Sequence, residues 1–347
     1  MGNPLAADLD HILAHTAGLW DEFRGRRIFI TGGTGFIGCW LLESFLWAND
    51  RLGLGASATV LTRDPESFRG KAPHLAAHPA IRLHTGDVRS FRYPDGQFSH
   101  VIHAASAARE RPNEQDPLEM LDTIIAGTRQ VLDFAVACGA GKFLLTSSGG
   151  VYGKQPPELP HLPETYAGGP DTMEPASAYR EGKRLAELLC ASYHSRYGLG
   201  TKIARGFAFV GPYLPLDAQY AIGSFIRDAI SGRPIRVSGD GRPVRSYLYA
   251  ADMAIWLWTI LLKGQPGRPY NVGSEADLTV GDLAHRVAEA AGDARVEMAG
   301  RPEPGARAPR YVPSTARARA ELGLEEWVPL DEAIRRTAEW AKKEAVR

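Results

Sequence analysis

The chain has 347 residues, 44% of them hydrophobic and 23% charged, and its 40 basic side chains balance 40 acidic ones. That length implies two domains or one large α/β unit, and the composition is that of an ordinary soluble globular protein. Without net charge or a basic block, nucleic acid and anionic membranes are excluded as expected partners.

The opening MGNPLAADLDHILAH carries early acids and no cleavable apolar core, so it does not read as a signal peptide. Leu5, Leu9, Ile12, Leu13, Leu19 and Phe23 have helical spacing, which predicts one amphipathic helix over 5–24. RRIFITGG (26–33) reads as a buried strand entering a glycine turn, and FIGCWLLESFLWAND (36–50) as the helix after it. ATVLT (58–62), IRLHTGDV (81–88) and HVIHAAS (100–106) are the next strands. DTIIAGTRQVLDFAVACG (122–139) is a long helix, KFLLTSS (142–148) a strand, SAYREGKRLAELLCASYHSRYG (177–198) a helix closed by glycine, and TKIARGFAFVG (201–211) a further strand. This alternation predicts an α/β fold with a doubly wound parallel sheet.

From about residue 212 the pattern changes. PYLPLDAQYAIGSF (212–225) reads as loop, 232–254 as short strands around a turn, DLTVGDLAHRVAEAAG (277–292) as a capped helix, 293–315 as loop with a short strand, and 330–346 as a closing helix. The apolar run AIWLWTILL (254–262) is about half of what a bilayer span needs. The expected division is an extension helix at 1–25, a dinucleotide-binding Rossmann domain at 26–211 with a return segment at about 236–262, and a smaller mixed C-terminal domain, mainly substrate-binding, at 212–347. Cys39, Cys138 and Cys190 are scattered and lack metal spacing, which predicts packing residues, no metal site and a reducing cytosol.

TGGTGFIG sets Gly32, Gly35 and Gly38 between a strand and a helix. The first permits the tight turn, the second lets backbone approach a pyrophosphate, and the third lets helix pack on strand. The helix start, with Phe36 and Ile37, turns unpaired N–H groups towards the phosphates. After the second strand, Thr62-Arg63-Asp64 stands where an acid would hold the ribose of NAD. Arg63 suits a 2′-phosphate and Thr62 removes the repelling carboxylate, which favours NADP. NAD stays open through Asp64, one residue further on. Asp87 and Val88 follow the third strand, with the Asp87 carboxylate placed to accept from the adenine amino group. Ala104, Ala105 and Ser106 are small residues where a strand end meets the cofactor, and His103 reads as a packed strand histidine.

Tyr179 and Lys183 form Y-x-x-x-K on one helix face. An ammonium beside a phenol favours the phenolate, which makes the tyrosine an acid or base near neutral pH. The lysine is also placed to bind the nicotinamide ribose.

Together TGGTGFIG, GDV, HAAS, TSSGGVYG, YREGK, RGFAFVGP, GDGRPVRSYLYAADMA and YNVGS resemble the extended short-chain dehydrogenase/reductase family, in its nucleotide-sugar epimerase/dehydratase branch. The resemblance runs from about Arg26 to the final helix. It implies that Ser148 hydrogen-bonds the reacting oxygen of a nucleotide-diphosphate sugar, that Tyr179 moves the proton, and that nicotinamide exchanges hydride with the sugar, usually at C4. In the 4,6-dehydratases of the family an acid pair follows the hydroxyl residue, and the decarboxylases keep a glutamate near this point. Here Gly149 and Gly150 stand there, which argues against elimination and suggests room beside the sugar ring. Ala208 replaces a substrate-touching asparagine, and Ile124 replaces a helix asparagine. Arg245 and Arg310 match arginines that clasp the diphosphate, with Arg301 and Arg307 competing for the second role. Trp256, Trp258 and Trp327 read as core and interface residues.

The resemblance also implies a homodimer through the helices at about 117–137 and 178–196, whose apolar residues exceed one stripe: Leu118, Leu121, Ile124, Ile125, Val131, Leu132, Leu185, Leu188 and Leu189. The expected protein is a cytosolic NAD(P)-dependent enzyme working at sugar C4. Net epimerisation and net 4-keto reduction are both open. A 4,6-dehydratase is the next alternative, with an acid drawn from elsewhere in the chain. A catalytically idle dinucleotide-binding redox sensor is the alternative of another class, against which the intact Ser148, Tyr179 and Lys183 speak.

Overall fold

The computed structural model describes residues 3–105, 116–217, 220–301, 305 and 307–344. The chain begins with α1 (Ala6–His15) and a single 3-10 turn (Trp20–Phe23). Strands and helices then alternate as β1 (Arg27–Thr31), α2 (Phe36–Leu52), β2 (Ser57–Thr62), short α3 (Pro65–Lys71) and α4 (Pro73–Ala76), β3 (Ile81–Thr85), β4 (His100–His103), α5 (Pro117–Ala137), β5 (Lys142–Ser148), α6 (Ala178–Tyr197) and β6 (Gly200–Gly206). The remainder is β7 (Phe209–Val210), α7 (Ala221–Ile230), β8 (Ile235–Val237), β9 (Val244–Arg245), β10 (Leu248–Tyr249), α8 (Ala250–Lys263), β11 (Pro269–Val272), β12 (Leu278–Thr279), α9 (Val280–Ala291), β13 (Val296–Met298), β14 (Arg310–Tyr311), α10 (Ala316–Leu322) and α11 (Leu330–Glu344).

Seven strands form one sheet in the order β11-β6-β5-β4-β1-β2-β3, and every pairing in it is parallel. This is the doubly wound α/β fold. Helices cover both faces, so β1 is buried from Ile28 to Thr31 and β5 from Phe143 to Ser148. The strand order reverses between β1 and β4, and the crevice outside their carboxyl ends is where such sheets bind ligands. β12, β9 and β14 make a separate small sheet over that edge.

The predicted helix over 5–24 stops at His15, because Gly18 turns the chain back in the left-handed region, at φ 79°. The helical spacing is nonetheless meaningful: Leu5, Leu9, Ile12, Leu19, Trp20 and Phe23 all enter one core. Buried Asp8 ties α1 in, accepting from Tyr249 Oη at 2.8 Å and pairing with Arg336 of α11. The strand read over 201–211 is two. β6 stays in the main sheet and β7 leaves it to pair with β10. Part of the expected loop 212–225 is helix α7, whose Ile222, Phe225, Ile226 and Ala229 are buried at helical spacing. The capped helix is α9, with Thr279 and Asp282 forming a reciprocal capping box. α8 is buried along nearly its whole length, Trp256 and Trp258 included, and leads into β11, which lies beyond the return segment expected at 236–262. No helix among the described residues is long and apolar enough to cross a membrane.

Candidate active site

The glycine turn lies at the strand-order reversal. Gly32 has φ 70°, and a Cβ there would run into the backbone of Ala104 and Ala105. Glycine at 32 is therefore what lets the turn lie directly against the backbone that follows β4. Thr31 Oγ1 accepts from Ala105 N–H at 3.2 Å and bonds His103 Nδ1 at 2.7 Å. His103 Nε2 bonds Thr128 at 3.1 Å, and burial pushes its pKa down to about 3. It is a neutral packing residue. A Cβ at Gly38 would strike Gly32 and Gly33, so α2 sits directly on the turn. Gly35 caps α2 without a side chain, which leaves the first N–H groups of α2, at Phe36 and Ile37, for an anion. These residues fit a dinucleotide pyrophosphate. Ser106 lies outside the described residues.

At the end of β2, Thr62 is buried and Arg63 exposed. Asp64 spends its carboxylate capping α3, accepting from Ser67 N–H at 2.9 Å. Lys71, at the far end of α3, donates to the Thr34 carbonyl of the glycine turn at 2.9 Å. Asp87 is held by Arg89 through two bonds of 2.9 Å, and that guanidinium keeps its carboxyl below the usual range. Val88 turns its side chain to α5, where a Cβ on Gly127 would lie 2.9 Å from it.

Ser148, Tyr179 and Lys183 come together at the carboxyl end of β5. Ser148 Oγ accepts from Gly150 N–H at 3.0 Å. Lys183 Nζ donates to the Thr146 carbonyl at 2.9 Å and lies 5.8 Å from the Tyr179 ring centroid. Burial pulls the Lys183 pKa down to about 8, with Glu187 opposing the fall. Ile124 packs on Gly182 beneath this helix face.

The room expected at the paired glycines is filled. A Cβ on Gly149 would lie 2.7 Å from the Phe207 ring and 2.7 Å from Tyr311 Oη. One on Gly150 would lie 3.2 Å from Arg180 Cγ and 3.3 Å from Ser148 Oγ. Gly149 is glycine because two aromatic residues from later in the chain close over the strand end. Tyr311 is hydrogen-bonded to Ser148, burial pushes its phenol pKa upwards, and its ring packs on Phe207 at 4.6 Å. Sequence reasoning missed it. Its one signal was an aromatic side chain beside Arg310 in a segment rich in Pro, Arg and Ala.

Register separates the two predicted arginines. Tyr311 pairs with Arg245 and Arg310 with Val244 across β14 and β9. Neighbours along a strand face opposite ways, so Arg245 shares a face with Tyr311 while Arg310 is turned to Asp277 and the Pro160 carbonyl. The two-residue strand thus sets Arg245 and Arg310 on opposite faces. Arg301 and Arg307 are exposed. Ala208 gives its carbonyl to Leu248 N–H at 3.0 Å and packs its methyl against the core.

A parallel sheet with a glycine-bound helix N-terminus at its reversal, and a Ser, Tyr and Lys beside it, defines a dinucleotide-dependent α/β enzyme. The chain belongs to the NAD dependent epimerase/dehydratase family, whose model matches residues 28–273, and is an enzyme of the extended short-chain dehydrogenase/reductase type. It is 31% identical over 311 residues to UDP-glucuronic acid decarboxylase 1 of Arabidopsis thaliana, covering 89% of this chain and 68% of that one. Its fold is similar to UDP-glucose 4-epimerase of Thermotoga maritima, with TM-score 0.76, 23% identity, and coverage of 92% of this chain and 99% of that chain. The dTDP-glucose 4,6-dehydratase of Streptomyces venezuelae, solved with NAD bound, matches with TM-score 0.76 and 23% identity over 92% of this chain and 98% of that one.

Proposed function

We propose that this enzyme exchanges hydride at C4 of a nucleotide-diphosphate sugar without elimination or decarboxylation. The observation that carries this reading is the wall beside Ser148. Where dehydratases of the family place two acids, and decarboxylases a glutamate, the atoms nearest Gly149 and Gly150 belong to Phe207, Tyr311, Arg180 and Ser148. None of these atoms belongs to a carboxylate, so among the described residues the groups nearest the two glycines include none of the acids that would take the C5 proton or protonate a leaving group.

The nicotinamide supplies the hydride acceptor and donor when bound. Tyr179 as phenolate takes the C4 hydroxyl proton while the C4–H bond gives up its hydride and the carbonyl forms; in the reverse direction its phenol returns the proton. Lys183 stabilises the phenolate from within the wall, and Ser148 hydrogen-bonds the C4 oxygen. The outcome is C4 epimerisation when the ketone turns before reduction, and net 4-keto reduction when the cofactor exchanges between turnovers. We favour NADP(H), since Arg63 is exposed at the ribose corner, Lys71 lies beside the glycine turn and Asp64 is committed to α3. A cytosolic homodimer is part of this reading: Leu118, Leu185 and Leu188 are exposed at 73%, 42% and 61% on the packed pair α5 and α6, an apolar face that a second copy would cover.

The test uses nucleotide-activated hexoses deuterated at C4. Recovery of deuterium at C4 of an epimer, or its transfer to NADP, supports the reading. Release of a 4-keto-6-deoxy product from a hexose, or of carbon dioxide from a uronate, overturns it.

A further inference from the structure

The hydroxyls at the end of β5 face two ways. Strand side chains alternate, so Ser148 meets the reacting centre and Ser147 turns away. Ser147 Oγ donates to Glu187 Oε1 at 2.6 Å. Glu187 stands on α6 one turn beyond Lys183 and two beyond Tyr179, so the three form a single stripe. Arg205 of β6 closes on the same carboxylate, with Nε to Oε1 at 3.0 Å and Nη2 to Oε2 at 2.6 Å. Its Nη1 reaches Tyr152 Oη at 2.9 Å, and Tyr152 donates to Asn271 Oδ1 at 2.7 Å. Asn271 Nδ2 then donates to the carbonyls of Leu162 and Ser314 at 2.8 and 3.0 Å. The network thus runs from the Tyr179 helix to the segment that carries Tyr311.

Lys183 is only 2% exposed, and the bond it makes is to a carbonyl, not a carboxylate. A buried ammonium without a counter-charge gives up its proton. Among the described residues, the titratable groups that bear on it are Tyr179, Glu187 and Cys190 on its own helix and His103 on β4, while Arg205 of β6 stands beyond them on the Glu187 carboxylate. His103 is neutral and the Cys190 thiol is held protonated, each by burial. Glu187 is the one anion among them, and it acts to raise the Lys183 pKa.

We propose that Glu187 is a positioning residue: its carboxylate is the counter-ion that keeps Lys183 an ammonium behind Tyr179, and its bond to Ser147 sets the strand end that carries Ser148. This rests on the reading of Tyr179 and Lys183 as the proton-moving pair.

Glu187→Gln keeps the shape and removes the charge. The hydride-transfer rate should then fail at lower pH than in the parent, its alkaline limb moving down by roughly one pH unit or more, as expected when a charge several ångströms away is lost at an effective dielectric near 20. Lysine Cε NMR, with the Lys183 resonance identified by Lys183→Arg, should report the same downward move without any turnover. Arg205→Gln removes the cation that shares Glu187, so the Lys183 titration should move up; this opposite sign keeps the test decisive if Glu187→Gln does not fold. A uniform loss of rate with the limb and the Lys183 resonance unmoved, or an unmoved resonance in Arg205→Gln, overturns the proposal. Hydride transfer at the parent rate in Tyr179→Phe would instead sink the underlying assignment, whatever Glu187 does.

Discussion

Ser148 ends a seven-residue strand inside the main sheet, and Tyr179 and Lys183 stand on the first turns of a twenty-residue helix. Tyr311 reaches the same centre from a two-residue strand, paired with β9 and followed by a single bridge between Leu162 and Pro313. The sheet side is held by long ladders, a buried core and the Glu187–Arg205 network. The lobe side is held by short ladders and by the far end of that network, where Asn271 donates to the Ser314 carbonyl. Groups that must be placed closely for proton and hydride transfer are best carried by rigid elements, while a lightly held segment can differ in sequence without disturbing them. The division predicts that loss of function falls steeply on the sheet side and gently on the lobe side.

The largest effect should come from Tyr179→Phe, which keeps the ring and removes the phenol. General acid–base groups contribute about 10²–10⁴-fold, so the single-turnover rate should fall on that order while cofactor affinity by calorimetry stays nearly constant. A loss confined to cofactor affinity would mean that the sheet side binds but does not react. Next is the seam between the two sides. Gly149→Ala forces its methyl against Phe207 and Tyr311, and overpacking of this kind costs about 1–3 kcal/mol. Gly150→Ala meets the flexible Arg180 chain and should cost a few tenths of that range. Urea denaturation of both variants checks the order. Equal costs would mean that the lobe yields freely and the seam is not a packed surface.

Arg63→Ala probes the sheet side away from the chemistry. A charge-assisted bond to a 2′-phosphate contributes about 1.5–3 kcal/mol, so NADP should lose roughly tenfold or more in affinity and NAD little. Parent protein that binds NAD more tightly by calorimetry removes the NADP preference and leaves the hydride chemistry standing.

The same division explains what could be read from the residues alone. TGGTGFIG and Y-x-x-x-K are short-range patterns whose geometry follows from one turn and one helix, so their residues stand in the turn and on the helix face that the spacing predicts. The absence of acids at Gly149 and Gly150 was legible for the same reason. What fills the space was not, because Phe207 and Tyr311 arrive from distant parts of the chain. Arg245 and Arg310 read as equivalents, and only the β9–β14 register separates their faces. Helix α7 was hidden behind Pro212 and Pro215 and interrupted by Gly223, although its apolar spacing is regular. The helical spacing runs past the end of α1 because residues on both sides of Gly18 pack into one core.

The smallest effect should be that of Tyr311→Phe, and it bears most directly on the comparison. The ring packs on Phe207 and fills the space over Gly149, and phenylalanine preserves both contacts. What is lost is the hydroxyl bonded to Ser148. A neutral hydrogen bond is worth about 0.5–1.5 kcal/mol net, which corresponds to a fall in rate of roughly two- to tenfold with little change in thermal midpoint. If Tyr311 acts by holding Ser148, then Ser148→Ala already removes the group it holds, and the double variant Ser148→Ala with Tyr311→Phe should be no slower than Ser148→Ala alone. Additive losses would instead mean that the Tyr311 hydroxyl touches the sugar independently. A fall as steep as that of Tyr179→Phe would break the division itself, since the lightly held lobe would then be moving the proton and the sheet side would be its support.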